Sequence, residues 1–168
     1  TRSFLQGDSA FSHALAVVQN RQVTAGVVYL PAMDKLYAAT AQGAATLNGV
    51  DIRASAPKAE PRVLTSKSTL APDHWPGGVP VLHRHFRAGM AWRLCLVAEG
   101  AFDAMLTLRP SWEWDIAAGA LIAQRAGARV SDRHGQDLRF NAADPRSAGV
   151  IAASPDLHAD LIARLSPQ

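Results

Sequence analysis

The chain has a single cysteine, Cys95, in 168 residues. No intrachain disulfide is possible, and a reducing compartment, the cytoplasm, is expected. No apolar run approaches the roughly 18–20 residues of a membrane helix, so no membrane partner is expected. No basic-then-apolar stretch opens the chain, which argues against a secretory leader. Internal repeats and low-complexity tracts are also lacking. Charge is sparse, 18% against 48% hydrophobic residues, which is the balance of a globular chain rather than a disordered one. The net charge is only +3, and the basic residues are dispersed. A nucleic-acid polymer would want a broad basic stripe with interleaved aromatics, and none is present. The one dense patch, His83-Arg84-His85-Phe86-Arg87, reads as a solvated or subunit-contact strand, with a phosphate contact as the alternative. Cys95 lies in the apolar run 94–98 and reads as core filler.

The length suits one domain, or most of one, with a sizeable core. Residues 11–19 read as a buried strand, and Asn20-Arg21-Gln22 as a turn. Strands are expected next at 23–29 and 35–40, with Pro31 between them, and Asn48-Gly49 is a strong turn dipeptide. This is a meander of short antiparallel strands. The Pro-containing stretch 54–62 reads as a connection, giving an expected division into 1–56 and 57–168. Beyond it, strand signals at 63–66, 102–108, 128–131 and 149–153 alternate with helices at 90–100 and 116–126. Gly127 is expected to cap the second helix. A last helix comes after Ser154, its expected N-cap, with Pro155 at the first position and Leu157, Leu161, Ile162 and Leu165 on one face. A strand meander succeeded by alternating strands and helices predicts a layered α/β sandwich.

The chemistry concentrates at Asp115, where an apolar strand or turn gives way to a helix of small residues, Ala117-Ala118-Gly119-Ala120. A hard divalent cation wants carboxylate oxygens, and the N–H groups of a helix's first turn favour an anion. The same position also suits a plain N-cap, and the local pattern alone leaves both readings open.

The segments W-D-I-A-A-G at 114–119 and A-G-x-x-V-x-D at 126–132 resemble the second signature of the inositol monophosphatase family, a superfamily that includes 3'(2'),5'-bisphosphate nucleotidases and fructose-1,6-bisphosphatases. The likeness extends along the chain. TRSFLQG at 1–7 resembles the stretch immediately after the family's D-P-x-D-G-T motif. Residues 26–49, 95–106 and 149–154 resemble its middle strands, the helix and strand before the second signature, and its last strand and cap.

The resemblance implies a layered α-β-α-β-α sandwich of the sugar-phosphatase type with the N-terminal portion absent. It also implies a Mg2+-dependent phosphomonoesterase, sensitive to Li+, that acts as a homodimer on a small phosphorylated metabolite. By the same likeness Asp115 is a metal ligand and Thr1 the threonine that helps orient the attacking water. The family's Glu-Glu pair and the two aspartates of D-P-x-D-G-T match nothing in 1–168, and the 14 acidic residues here do not replace them. A polypeptide of this length alone is therefore expected to show little or no activity. Glu113 is expected to be solvated or to support Asp115 from behind.

For the substrate, inositol-selective members carry an acid several positions before W-D, where this chain has none. Arg109 stands there instead and suits a second phosphate; a solvated loop cation is the alternative. The stretch Val63–Ser68 resembles the V-x-S-R-S segment of bisphosphate nucleotidases, making Ser66 and Lys67 candidate phosphate contacts. Gly89-Met90 stands where the family usually has Gly-Ser or Gly-Thr. Two rival readings remain. One is an N-terminal-nucleophile amidohydrolase using Thr1, and the other a non-catalytic, phosphate-binding or subunit-associating remnant.

Overall fold

The computed structural model describes residue 7, residues 9–56 and residues 59–166. The meander expected from the first third forms a five-stranded antiparallel sheet in sequence order: β1 (His13–Gln19), β2 (Gln22–Leu30), β3 (Lys35–Thr40), β4 (Thr46–Leu47) and β5 (Val50–Asp51). A second sheet is built from β6 (Arg62–Leu64), β7 (His83–His85), β8 (Ala104–Thr107), β10 (Arg129–Ser131) and β12 (Val150–Ala153). Their spatial order is β10-β12-β8-β6-β7. Here β6 runs parallel to both β7 and β8, whereas β12 is antiparallel to β8 and β10. A two-stranded ribbon pairs β9 (Ser111–Trp112) with β11 (Arg146–Ser147).

Helices α1 (Met90–Ala98) and α2 (Glu113–Arg125) lie between the two sheets, and α3 (Pro155–Leu165) covers the far side of the second. The described layers are thus sheet, helices, sheet, helix. The larger core cluster joins the first sheet, α1, α2 and the inner side of the second sheet. A smaller one, around Val63, Trp75, Leu106, Ile151 and Leu161, seats α3. Each fully buried aliphatic side chain of this kind is worth about 1.5–3 kcal/mol.

The small residues of α2 are there for close approach. A Cβ on Gly119 would sit 2.8 Å from Leu94 Cβ and 3.0 Å from the Ala91 carbonyl oxygen of α1. On the other side, a Cβ on Gly26 of β2 would meet the Ala118 Cα and carbonyl oxygen at 3.0 Å. The helix ends as expected at Gly127 (φ +97°), where the Ala128 N–H donates to the Ala123 carbonyl and the Gly127 N–H to the Gln124 carbonyl, both at 3.0 Å.

Four local expectations change. Among the described residues strand β1 is mostly exposed rather than buried: Leu15 and Val17 are 65% and 55% accessible, and α2 covers only part of one face. Helix α2 begins at Glu113 rather than Ile116, because β9 pairs through Trp112 and the chain turns helical directly after it. Trp112, not Asp115, occupies the N-cap position. Ser154 takes the N-cap position of α3 but its hydroxyl caps nothing; it is buried without a partner among the described residues.

Candidate functional site

The three parallel strands release the chain at one edge of the second sheet. After β6 comes Thr65-Ser66-Lys67, after β7 comes Phe86-Arg87, and after β8 comes Leu108-Arg109. In open α/β sheets, ligands bind outside such carboxyl ends. Helix α1 starts from the β7 exit, and α2 from β9 just past the β8 exit. The two helices run side by side in the same sense. They touch at Gly119 against Ala91 and Leu94, and their C-terminal ends both reach residues 53–55. There the Ala54 N–H donates to the Ala126 carbonyl at 2.9 Å, and Gly100 abuts the Arg53 carbonyl. Both N-termini therefore face the strand-end edge, each presenting unsatisfied N–H groups.

Asp115 lies in the first turn of α2, on the exposed surface, and its carboxylate pairs with nothing among the described residues. Partial desolvation raises its pKa above the ordinary aspartate value. Glu113, two positions earlier, behaves differently. It is 9% accessible, and its carboxylate accepts the N–H groups of Asn141 (2.7 Å) and Ala142 (3.3 Å), tying the 140–147 loop to the start of α2. The expectation of a solvated Glu113 gives way to a buried anchor, because its partners lie 28 and 29 residues away in sequence.

Arg109 is exposed and close enough to Arg93 for their charges to interact. Arg93 is only 8% accessible, yet it makes no ion pair among the described residues. Its Nε donates to the Arg87 carbonyl, and its guanidinium lies over the Phe86 ring, 4.4 Å from the centroid. Burial first, and the Arg109 charge second, depress its pKa. Buried arginines are normally paired, so an unpaired one beside a second arginine is fit to receive an anion.

Ser66 is half-buried. Its hydroxyl accepts from the Thr69 N–H and contacts the Ser68 and Thr69 hydroxyls, capping a 3-10 turn. Lys67 is exposed beside it. Both lie at the strand-end edge, but the Ser66 hydroxyl is already engaged. Thr65 is fully buried and its hydroxyl has no partner among the described residues. Thr1 lies outside the described residues. Residues 83–85 of the basic patch form the outermost strand β7, with His83 bonded to Glu60 at 2.8 Å, and Phe86 and Arg87 follow it.

Sequence reading missed Arg93, although a cation inside the apolar run of α1 was its signal. It also missed Thr65, which nothing in the sequence distinguishes from its neighbours. Among the described residues no three His, Cys, Asp or Glu side chains cluster to hold a metal. Asp115 suits one oxygen ligand of a hard cation but does not complete a site by itself.

Converging helix N-termini, parallel strand ends and an unpaired carboxylate define a layered α/β protein with an edge suited to an anionic ligand. The chain belongs to the inositol monophosphatase family, whose model matches residues 1–168. The resemblance read from the sequence and the layered sandwich it implied are both borne out. SuhB of Neisseria meningitidis, described as a candidate Nus factor, is 30% identical over 178 residues, covering 99% of this chain and 65% of that protein. The 3'(2'),5'-bisphosphate nucleotidase CysQ of Escherichia coli is 30% identical over 144 residues, covering 83% of this chain and 58% of CysQ. The Thermotoga maritima IMPase structure superposes with a TM-score of 0.81 at 28% identity, covering 98% of this chain and 64% of that one. The chain thus spans just under two thirds of the length of these relatives. No described helix is long and apolar enough to cross a membrane.

Proposed function

We propose that the protein is a magnesium-dependent phosphomonoesterase of the cytoplasm, working as a homodimer on a small phosphorylated sugar, polyol or nucleotide. The observation that carries this reading is the unpartnered Asp115 carboxylate in the first turn of α2, beside a second helix N-terminus. Family membership sets the reaction class. In that reading Asp115 gives one oxygen ligand to the cation, and the first-turn N–H groups of α1 and α2 receive phosphoryl oxygens. The cation, when bound, supplies Lewis-acid stabilisation and a more acidic water. Among the described residues no group of three His, Cys, Asp or Glu side chains completes the set.

A second reading narrows the substrate to a bisphosphate, as for CysQ. It is favoured by Arg93 and Arg109, two guanidiniums close enough for their charges to interact, neither in an ion pair among the described residues. Arg109 then meets the non-reacting phosphate, with Lys67 as a further charge at the same edge.

Phosphate release from the full-length gene product tests both readings, with inositol monophosphate, 3'-phosphoadenosine 5'-phosphate and fructose bisphosphate compared with and without magnesium. Release should require the metal and fall by at least 100-fold in Asp115→Asn. Release that persists at full rate in that variant refutes the assignment. Calorimetry showing no binding at millimolar magnesium favours a non-catalytic, anion-binding protein instead.

A further inference from the structure

The crossover from β6 to β7, residues 65–82, joins two parallel neighbours. Such connections usually pack through an α-helix. This one contains two short 3-10 turns instead, Lys67–Leu70 and Pro72–His74, whose hydrogen-bond geometry is poor. A buried side chain holds it. Trp75 is 3% accessible and sits in the smaller core cluster with Val63, Leu106 and Leu161. Its indole N–H donates to the Thr69 carbonyl at 2.9 Å, in a buried setting. Indole has one donor and no acceptor, so the packing of the ring fixes the direction of that bond.

The tie continues both ways. Toward the strand-end edge, the Thr69 hydroxyl lies 2.8 Å from the Ser66 hydroxyl, and the Thr69 N–H donates to the Ser66 carbonyl at 3.2 Å. Away from it, the Gly78 N–H donates to the Trp75 carbonyl at 2.9 Å. The Gly77 N–H donates to the carbonyl of Arg164, in the last turn of α3, at 3.0 Å. A Cβ on Gly77 would lie 2.8 Å from Arg164 Cα, so the chain is pressed against that helix. A continuous strap thus runs from α3, on the far side of the second sheet, to the strand-end edge. Lys67 is exposed at its end and in no ion pair among the described residues. The Ser66 hydroxyl is committed to the turn, which leaves the Lys67 ammonium to meet an anion.

We propose that Trp75 is a positioning residue for this edge: through the Thr69 carbonyl it fixes the turn that carries Lys67, and so sets where that ammonium meets the ligand's phosphate. The proposal rests on the phosphomonoesterase reading for the ligand; the strap itself does not depend on it.

A double-mutant cycle on the full-length gene product tests it. Trp75→Phe keeps a buried ring and removes the N–H. The KM for a phosphomonoester that the unaltered protein hydrolyses should rise roughly 5-fold, the weight of one hydrogen bond, with kcat within about twofold of its original value. Lys67→Met should raise KM as well, and adding Trp75→Phe to it should change KM no further. A merely structural Trp75 would lower stability without this dependence on Lys67. An unchanged KM in Trp75→Phe, or an equal further rise in the Lys67→Met background, overturns the proposal. If Trp75→Phe does not fold, Thr69→Val takes its place, since it keeps the shape of the side chain and removes the hydroxyl tie to Ser66; an unchanged KM there overturns the strap in the same way. Calorimetry with inorganic phosphate separates the two ideas. Phosphate binding that weakens roughly 5-fold in Trp75→Phe, without hydrolysis of any phosphomonoester, sinks the enzymatic reading alone. Hydrolysis with KM and phosphate affinity indifferent to Trp75→Phe sinks the positioning role alone. Neither hydrolysis nor phosphate binding sinks both.

Discussion

Replacing Gly119 by alanine tests the packing that places Asp115. In an ordinary exposed helix, Gly→Ala stabilises by about 1 kcal/mol, because alanine loses less backbone entropy. Here the new methyl would lie 2.8 Å from Leu94 Cβ and 3.0 Å from both Leu94 Cδ1 and the Ala91 carbonyl oxygen. Leucine's outer methyl could rotate aside, but Leu94 Cβ and the Ala91 carbonyl are fixed to the α1 backbone. Relief therefore requires α1 and α2 to separate by several tenths of an ångström. Overpacking of this kind costs about 1–3 kcal/mol. The gain in helix propensity offsets part of it, leaving a net loss of about 1–2 kcal/mol. For a chain of this size that lowers the melting temperature by about 5 °C. Urea unfolding should show a lower midpoint with an unchanged slope. Because both helix N-termini would move, magnesium affinity should weaken as well. An unchanged or raised melting temperature would refute the reasoning, since it would mean that the helices do not approach so closely.

Two further perturbations probe side chains held by distant partners. Glu113→Gln should destabilise by about 1–3 kcal/mol, because two backbone N–H groups lose a charged acceptor in a buried setting; an unchanged urea midpoint would show that the 140–147 loop is held by other contacts. His158 is buried, with its Nε2 2.7 Å from the Ser131 hydroxyl, and burial first and the Arg129 charge second lower its pKa from 6.5 to about 4. The unfolded chain therefore binds this proton before the folded one does. Stability is complete above pH 6.5 and falls as the pH drops toward 4, by about 3 kcal/mol in all. The melting temperature of His158→Gln should depend less on pH between 6.5 and 5 than that of the parent, and equal slopes would refute the assignment.

The features legible in the sequence and those concealed by it divide by the range of the interaction. Strand β3 falls where its alternation predicts it, at Lys35–Thr40, and Gly127 ends α2 as its position implies. These are local effects of turn chemistry and periodicity. The burial of Glu113 was not legible, because it depends on N–H groups 28 and 29 residues away. Ser154 shows the converse: a strong local signal for capping, overridden when the hydroxyl is buried at the β12–α3 junction without a partner. For the candidate site, the motif around Asp115 identified the residue. Only the fold revealed that Arg93 and Arg109 are neighbours and that α1 and α2 begin at the same edge.

The parallel arrangement of α1 and α2 gives the middle layer an electrical polarity. Peptide dipoles add where two helices point the same way, leaving partial positive charge at the strand-end edge and partial negative charge at the other. The opposite end carries a cation, Arg125 in the last turn of α2. The attraction for an anion at the strand-end edge thus belongs partly to the backbone, which has no pKa. Acidification that protonates Asp115 would remove a candidate metal ligand and leave that attraction in place. Anion binding and metal binding by this chain should therefore part company at low pH.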